Sequence, residues 1–450
     1  MYTDEQPFNR LSETYDLRAL SILGDEGLLG PYDVAPSRTV WLAQAPGYSI
    51  YLSLIYRAAG RDFFIVQLVQ NAINSISPVL IFLIAGSLLG WRIGIASGLI
   101  AALSHHLSYI SNFILPDSLC ALPLLAAICF LIMARRCDKR SYWLYALAGV
   151  MMGFSAWLRP QAMVIGPFLA LMFTMISRRR WPAMKRAALM AAVSVTVIAP
   201  ITIRNYIVYG RFVPITIGAG IVLWEGIGES GRGAEFGAVS TDVEVAAQEA
   251  ILYDEPLYGG TWSSPDGIKR DRDRVSKSLD IIADHPIWYA GVMLGRMKDM
   301  IKYSAHAPLI FREASLQRAA PKARAWESID YDPSVLDFTR GINWLRAPAR
   351  GLQRMAKETM QFFIIIGGVI LFSAAPRRAA FIFAVPLYYF LFQSFLHTEF
   401  RYTLPMQYFL FVFAATSWVL IVSLLWTSAK RLYDRRKDHR SKAYESEKIV

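Results

Sequence analysis

Nine apolar runs separated by short polar stretches set the plan of this chain: residues 66–89, 93–112, 116–134, 142–158, 160–177, 185–203, 359–374, 378–396 and 403–427. Each is close to the roughly 17–25 apolar residues that carry a helix across the hydrocarbon core. A backbone in lipid must satisfy its own hydrogen bonds, and the runs lack the short alternation of barrel strands, so helices are predicted. The expected fold class is an all-α polytopic membrane protein, a transmembrane helix bundle with outward-facing loops and interfacial helices. Between the sixth and seventh runs, residues 225–283 are Gly-rich and charged and predict a soluble loop or small lobe. Residues 284–304 set Ile287, Val292, Met293, Met297, Met300 and Ile301 among Arg296, Lys298 and Lys302, which predicts an amphipathic helix lying at the interface. Trp262, Trp288, Trp326 and Trp344 suit a belt near the headgroups.

Composition agrees with a membrane protein: 54% of residues are hydrophobic and 18% charged, and the mean hydropathy is +0.33. The basic residues set the orientation. Arg135, Arg136, Lys139 and Arg140 follow the third run, and Arg178, Arg179, Arg180, Lys185 and Arg186 the fifth. Arg377 and Arg378 separate the seventh from the eighth, and Lys430, Arg431, Arg435, Arg436, Lys437 and Arg440 fill the tail. Simple alternation puts all four clusters on one side, which the positive-inside rule assigns to the cytoplasm. The net charge of +12 is thus a topology signal, and a nucleic-acid partner is not expected. The chain divides into an outer loop with interfacial helices (1–65), six transmembrane helices (66–203), an outer region (204–358), three more transmembrane helices (359–427) and a basic cytoplasmic tail (428–450). An outward 1–65 without a preceding apolar run implies a true start upstream and a missing first span; the alternative is a natural tail that translocates without one. Cys120, Cys129 and Cys137 imply no disulfide and no metal pattern.

The polar residues that alternation places outside are the chemical candidates. Near the amino terminus, Glu13 and Asp16 flank Tyr15 in a short amphipathic helix, and a second helix over 50–59 follows Gln44-Ala45-Pro46-Gly47-Tyr48. A partly desolvated carboxylate there could take a proton from an acceptor, or be a solvated loop acid. Asp117, after Leu115-Pro116, is a functional candidate at a span mouth or a helix cap. Arg159-Pro160 occupies a tight outward turn, and Arg204-Asn205-Tyr206 closes the sixth run ahead of Gly210-Arg211-Phe212-Val213-Pro214. Singly these arginines could be snorkelling anchors; together they would suit a phosphate. His397-Thr398-Glu399-Phe400-Arg401-Tyr402-Thr403-Leu404-Pro405 puts an acid, a base and a phenol on one constrained turn. His105-His106 reads as a buried packing pair.

In order along the chain, Tyr15–Leu23, Ala45-Pro46-Gly47-Tyr48, Leu115-Pro116-Asp117-Ser118, Leu158-Arg159-Pro160, 200–214, Asp284-His285-Pro286 and 399–405 resemble segments of the GT-C superfamily of integral-membrane glycosyltransferases. The similarity is to the bacterial branch of protein mannosyltransferases and lipid A aminoarabinose transferases. It implies a GT-C-like helix bundle that moves a sugar, with inversion, from a polyprenyl-phosphate donor to a glycolipid, polysaccharide or protein acceptor. The site would face the outer (periplasmic) side of a bacterial plasma membrane. It further implies a first-loop acid as base, for which Glu13 is nearest, with Asp16 and Asp4-Glu5 as rivals. Asp117 matches the second outer acid, and Arg204 and Arg401 would neutralise the carrier phosphate. Tyr15, Arg159, Asn205, His285, Glu399 and Tyr402 complete the expected substrate site. No resident cofactor is expected, while the superfamily leaves a divalent metal open. A pyrophosphate-donor polysaccharide ligase or polymerase, a lipid-linked-sugar transporter and an inactive accessory subunit are the alternatives.

Overall fold

The computed structural model describes residues 10–24, 39–136, 141–177, 180–303, 346–397 and 399–447. Among them the chain is helical and contains no strand. Helix α1 (Arg10–Leu23) is amphipathic: Tyr15, Arg18 and Ala19 bury one face while Leu17 and Leu20 stay exposed. Helix α2 (Gly47–Ala59) packs across α1. Its first residue abuts the end of a later helix so tightly that a Cβ on Gly47 would lie 2.5 Å from the Trp157 carbonyl oxygen.

The bundle begins with α3 (Phe63–Asn74), whose first turn is capped by Asp62 accepting from the amides of Phe64 and Ile65. Next come α4 (Ile76–Leu89), α5 (Trp91–Ala102), α6 (His105–Ser111), α7 (Ala121–Ala134), α8 (Ser141–Leu158), α9 (Ile165–Ile176) and α10 (Arg180–Tyr209). Gly90, at φ +109°, turns α4 into α5. Small residues bring helices together: a Cβ on Gly149 of α8 would meet the Met190 carbonyl of α10 at 2.4 Å. Helices α15 (Arg346–Ala374), α16 (Pro376–Ser394) and α17 (Leu404–Glu447) close the bundle, and one apolar core runs through it, from Ile81 and Leu124 to Phe409 and Phe413.

Each of the nine predicted runs coincides with a helix or a bent pair of helices. Phe63–Leu89, Arg180–Tyr209 and Phe400–Asp434 are long and apolar enough to cross a membrane, and α5 with α6, bent by 50°, makes a fourth. The run expected at 116–134 starts its helix only at Ala121, because residues 113–120 form turns. Ala121–Ala134, Pro160–Ile176 and Glu358–Ala374 are apolar but shorter. Helix α7 buries Leu124, Leu125, Ile128 and Leu131 in the core, and a helix walled by protein is freed from matching the full lipid thickness.

The two ends of the bundle differ in chemistry. At one end Arg180 and Arg377 line a common cavity with Met175, Ile176 and Ser177. Arg135 lies 5.6 Å from the ring of Phe381, and Arg186 5.6 Å from that of Tyr142, so basic residues far apart in sequence gather there. The opposite end carries Asp117, Arg159 and Arg401 and receives the lobe inserted between α10 and α15, called the outer lobe for its place beyond the end of the bundle.

That lobe consists of α11 (Ala219–Gly228), α12 (Asp242–Leu252), α13 (Gly267–Asp284) and α14 (Pro286–Ile301). Buried charge pairs hold it together beside its apolar core. Buried Glu249 accepts from Arg270 at 2.6 Å and Arg274 at 2.7 Å, and Asp271 accepts from the Gly218 and Gly220 amides. Two expectations change here. Trp262 and Trp288 pack inside the lobe instead of forming a belt, while Trp326 and Trp344 lie outside the described residues. Residues 284–304 break at His285, and α14 is a strut: Tyr289, Val292 and Met293 enter the lobe core, whereas Met297, Met300 and Ile301 enter the bundle core. Two packed faces account for these six residues, while Ile287 and Leu294 stay exposed.

Gly47→Ala should overpack the α2–α8 contact and destabilise the chain by about 1–3 kcal/mol, lowering the midpoint of thermal unfolding in detergent. Gly368→Ala, at a helical position where an added Cβ meets nothing within 4 Å, should leave it unchanged or slightly raised.

Candidate active site

The polar end of the bundle is assembled from four separate stretches. Turn 113–120 presents Asp117, and the junction of α8 with the next turn presents Arg159. Late α10 supplies Arg204, and the 3₁₀ turn before α17 supplies Arg401 and Tyr402. Asp117 is fully buried (0% exposed) and forms an ion pair with Arg159. Among the described residues its second carboxylate oxygen, Oδ2, has no hydrogen-bond partner. The guanidinium groups of Arg159 and Arg401 each lie 5.1 Å from the ring of Tyr402, and Glu399 grips Arg401 with contacts of 2.5 and 3.1 Å. Charge-assisted pairs of this kind set geometry as well as energy.

Helix α1 lies against this group. Tyr15 packs edge-on against Tyr48 at 5.3 Å and is close enough to Arg159, Asp117, Arg401 and Tyr402 to feel their charges. Burial pushes its phenol up to about 12, so it is a neutral donor at physiological pH. Tyr48 donates to Gln70 Oε1 at 2.7 Å, and Gln70 in turn donates to the Ser111 and Phe113 carbonyls, pinning the turn that carries Asp117.

One helical turn beyond Tyr15, Arg18 adds a cation that the sequence reading passed over. It donates to the Trp41 and Gln44 carbonyls and is 5% exposed. Burial, and then the charge of Arg204, lowers its pKa to about 10. Arg204 is equally buried; it donates from Nη1 to Asn205, and among the described residues its Nε and Nη2 have no hydrogen-bond partner. Asn205 donates to the Val213 and Ile215 carbonyls, folding the loop after α10 back on itself. The signal for Arg18 was the i, i+3 spacing from Tyr15 on the buried stripe of α1.

Other candidates are placed elsewhere. Glu13 lies about 160° around α1 from Tyr15, on the side of exposed Leu17 and Leu20. Asp16 is 2% exposed but occupied: it accepts from Tyr56 at 2.7 Å and from Arg61 at 2.8 and 3.1 Å. Asp4 and Glu5 lie outside the described residues. His285 sits between α13 and α14 against Phe236, 5.1 Å away, and Trp288, in the outer lobe. His105 and His106 pack on Tyr303 and Phe400. Among the described residues no group of three His, Cys, Asp or Glu side chains is placed to hold a metal ion. The arrangement can bind an anion with guanidinium groups, and it sets one buried carboxylate and one neutral phenol beside that anion.

Asp16→Asn should weaken the α1–α2 contact, costing about 1–3 kcal/mol through its buried hydrogen bonds. Because Arg61 is half-exposed, Arg61→Gln should cost less. Thermal unfolding of the two single variants and the double variant should give non-additive losses, the mark of a shared contact.

Comparison with known proteins adds the following. Residues 43–203 match the family model of dolichyl-phosphate-mannose-protein mannosyltransferases. No curated protein matches the chain in sequence. The oligosaccharyltransferase of Archaeoglobus fulgidus, crystallised with a tethered acceptor peptide, is similar in fold at a TM-score of 0.50 and 12% identity, over 93% of this chain and 46% of that one. The same archaeal enzyme, AglB, in complex with an inhibitory peptide and a dolichol-phosphate, gives a TM-score of 0.50 and 12% identity, over 94% and 48%. ArnT from Cupriavidus metallidurans, at a TM-score of 0.36 and 12% identity over 90% of this chain and 71% of its own, is too distant to carry weight. The chain thus spans about half the length of the archaeal enzyme, and likeness at this identity speaks for the fold. Residues 43–203 of this all-α bundle thus match the dolichyl-phosphate-mannose-protein mannosyltransferase family, and the bundle is similar in fold to the archaeal oligosaccharyltransferase.

Proposed function

We propose that this protein transfers a sugar, with inversion, from a polyprenyl-phosphate carrier to an acceptor at the outer face of a bacterial plasma membrane. One observation carries the reading: Arg18, Arg159, Arg204 and Arg401 meet at one bundle end where, among the described residues, Asp117 and Glu399 are the carboxylates paired with them and two nitrogens of Arg204 have no hydrogen-bond partner. Buried cations in excess of carboxylates suit a ligand that brings its own negative charge, and a phosphate monoester does. This end lies opposite the basic cavity of Arg180 and Arg377, which positive-inside reasoning assigns to the cytoplasm. The dolichol-phosphate bound by the archaeal enzyme of similar fold is a lipid of the same chemistry.

The geometry supports the following division of labour. Arg204 and Arg18 hold the carrier phosphate, and Arg401 stabilises the charge that develops on it as the sugar leaves. Such preorganised stabilisation is the largest catalytic contribution expected here, with positioning second. Asp117, through the oxygen that Arg159 leaves open, orients or deprotonates the acceptor hydroxyl or amine. Tyr15 donates a hydrogen bond from its neutral phenol. Acceptors in the glycolipid, polysaccharide or protein class all fit this chemistry.

Sugar release from polyprenyl-phosphate sugars by the full-length protein in proteoliposomes tests the reading. Arg204→Ala, Arg401→Ala and Asp117→Asn should each lower turnover on the order of 10²–10³-fold. Glu13→Gln, on the outer face of α1, should stay within a few-fold of the parent chain. The opposite ranking, with Glu13→Gln inactive and Asp117→Asn active, would return the base to the first loop. Turnover of pyrophosphate-linked donors alone would favour the ligase.

A further inference from the structure

The turn that carries Arg401 is fastened to the outer lobe. Arg296 of α14 donates to the Ser394 carbonyl at 3.0 Å and also to that of Gly226. Tyr289 donates to the Phe395 carbonyl at 2.6 Å, and the His397 amide donates to the Val222 carbonyl of α11 at 2.8 Å. The His397 side chain makes a connection that runs on to the site. Its Nδ1 lies 2.7 Å from Glu229 Oε2, at the end of α11, and its Nε2 lies 3.6 Å from Glu399 Oε1. Glu399 then grips Arg401 at Nε and Nη2. A neutral imidazole offers one N–H, whereas the imidazolium offers two and carries the charge that two flanking carboxylates require.

We infer that His397, as an imidazolium bridging Glu229 and Glu399, is a positioning residue that locks the outer lobe to Arg401 and releases it when the ring loses its proton. The inference rests on the phosphate-stabilising role given to Arg401 above. The groups facing the ring come from four directions. Helix α11 brings Glu229 and Glu225, and Asp242 of α12 stands behind Glu225. The turn itself brings Glu399, Arg401 and Tyr402, whose ring centre is 6.3 Å away. Helix α14 brings Arg296, beside the same Gly226 against which the His397 backbone packs. Burial alone would lower the pKa of the ring, but Glu229 and Glu399 outweigh it and hold it up to about 9. Burial likewise raises Glu225 to about 7, while His397 and Arg401 together, against burial, hold Glu399 down to about 2. A ring whose folded pKa lies above the ordinary value of about 6.5 stabilises the fold fully below that pH. The stabilisation is lost as pH rises through 9.

Two readouts test this on the full-length protein. Thermal unfolding in detergent from pH 6 to 10 should show the parent chain losing more stability through pH 9 than His397→Gln does. In Glu229→Gln the midpoint of that loss should move down by about one pH unit or more. Sugar transfer should follow the same ionisation. The alkaline limb of the parent profile should move to lower pH in Glu229→Gln. At pH 9 His397→Arg, which keeps a charge in place, should retain activity where His397→Gln loses about tenfold to a hundredfold. Superimposable stability curves for the parent and His397→Gln, or an alkaline limb indifferent to Glu229→Gln, would overturn the inference. A stability difference without sugar release from any donor would keep the lobe-to-turn coupling and reject the transferase reading instead.

Discussion

Guanidinium groups held at the end of an apolar bundle, in excess of the carboxylates beside them, are the constraint around which this protein is organised. A buried cation must be hydrogen-bonded or paired, because desolvation otherwise outweighs what packing supplies. Arg159 meets that demand with Asp117, and Arg401 with Glu399. Arg18 does so with two backbone carbonyls and Arg204 only in part, with the amide of Asn205. The residual positive charge is fixed in place before any ligand arrives. Such preorganisation makes an electrostatic site effective, since nothing has to reorient when charge develops.

Much of the remaining architecture serves to keep those groups still. Helix α1 supplies Tyr15 and Arg18 only because α2 braces it: Tyr56 and Arg61 occupy Asp16, and Gly47 lets α2 press against the end of α8, beside Arg159. Gln70 ties the turn that bears Asp117 to α3. The outer lobe does the same for the last turn, and its own rigidity comes from Glu249 shared between Arg270 and Arg274. An ion set buried this deeply in a lobe of only four short helices adds directional constraint where the apolar core is small.

Much of this was legible in the residue order. The nine apolar runs, the segregation of basic loops and the shared bundle end of Asp117, Arg159, Arg204, Arg401 and Tyr402 follow from hydropathy and charge counting, because lipid imposes the same demand on every spanning helix. The bent α5–α6 pair and the late start of α7 were not legible, since both depend on the helices that wall them in. The packing of 284–304 into both cores was not legible for a related reason: amphipathicity reports that a helix has an apolar face, not what covers it.

The acids show the division most plainly. The sequence by itself determined that carboxylates lie near Tyr15 and at the mouth of the third run, and that arginines share their side. Only the tertiary structure decided which acid faces which arginine. It turned Glu13 outward, gave Asp16 to Arg61 and Asp117 to Arg159, and brought Arg18 beside Arg204 across nearly the length of half the chain. Helix periodicity and hydropathy are local properties, legible within a few turns. Charge pairing at the end of a bundle depends on which helix ends meet, and close packing through Gly47, Gly149 and the outer lobe determines that.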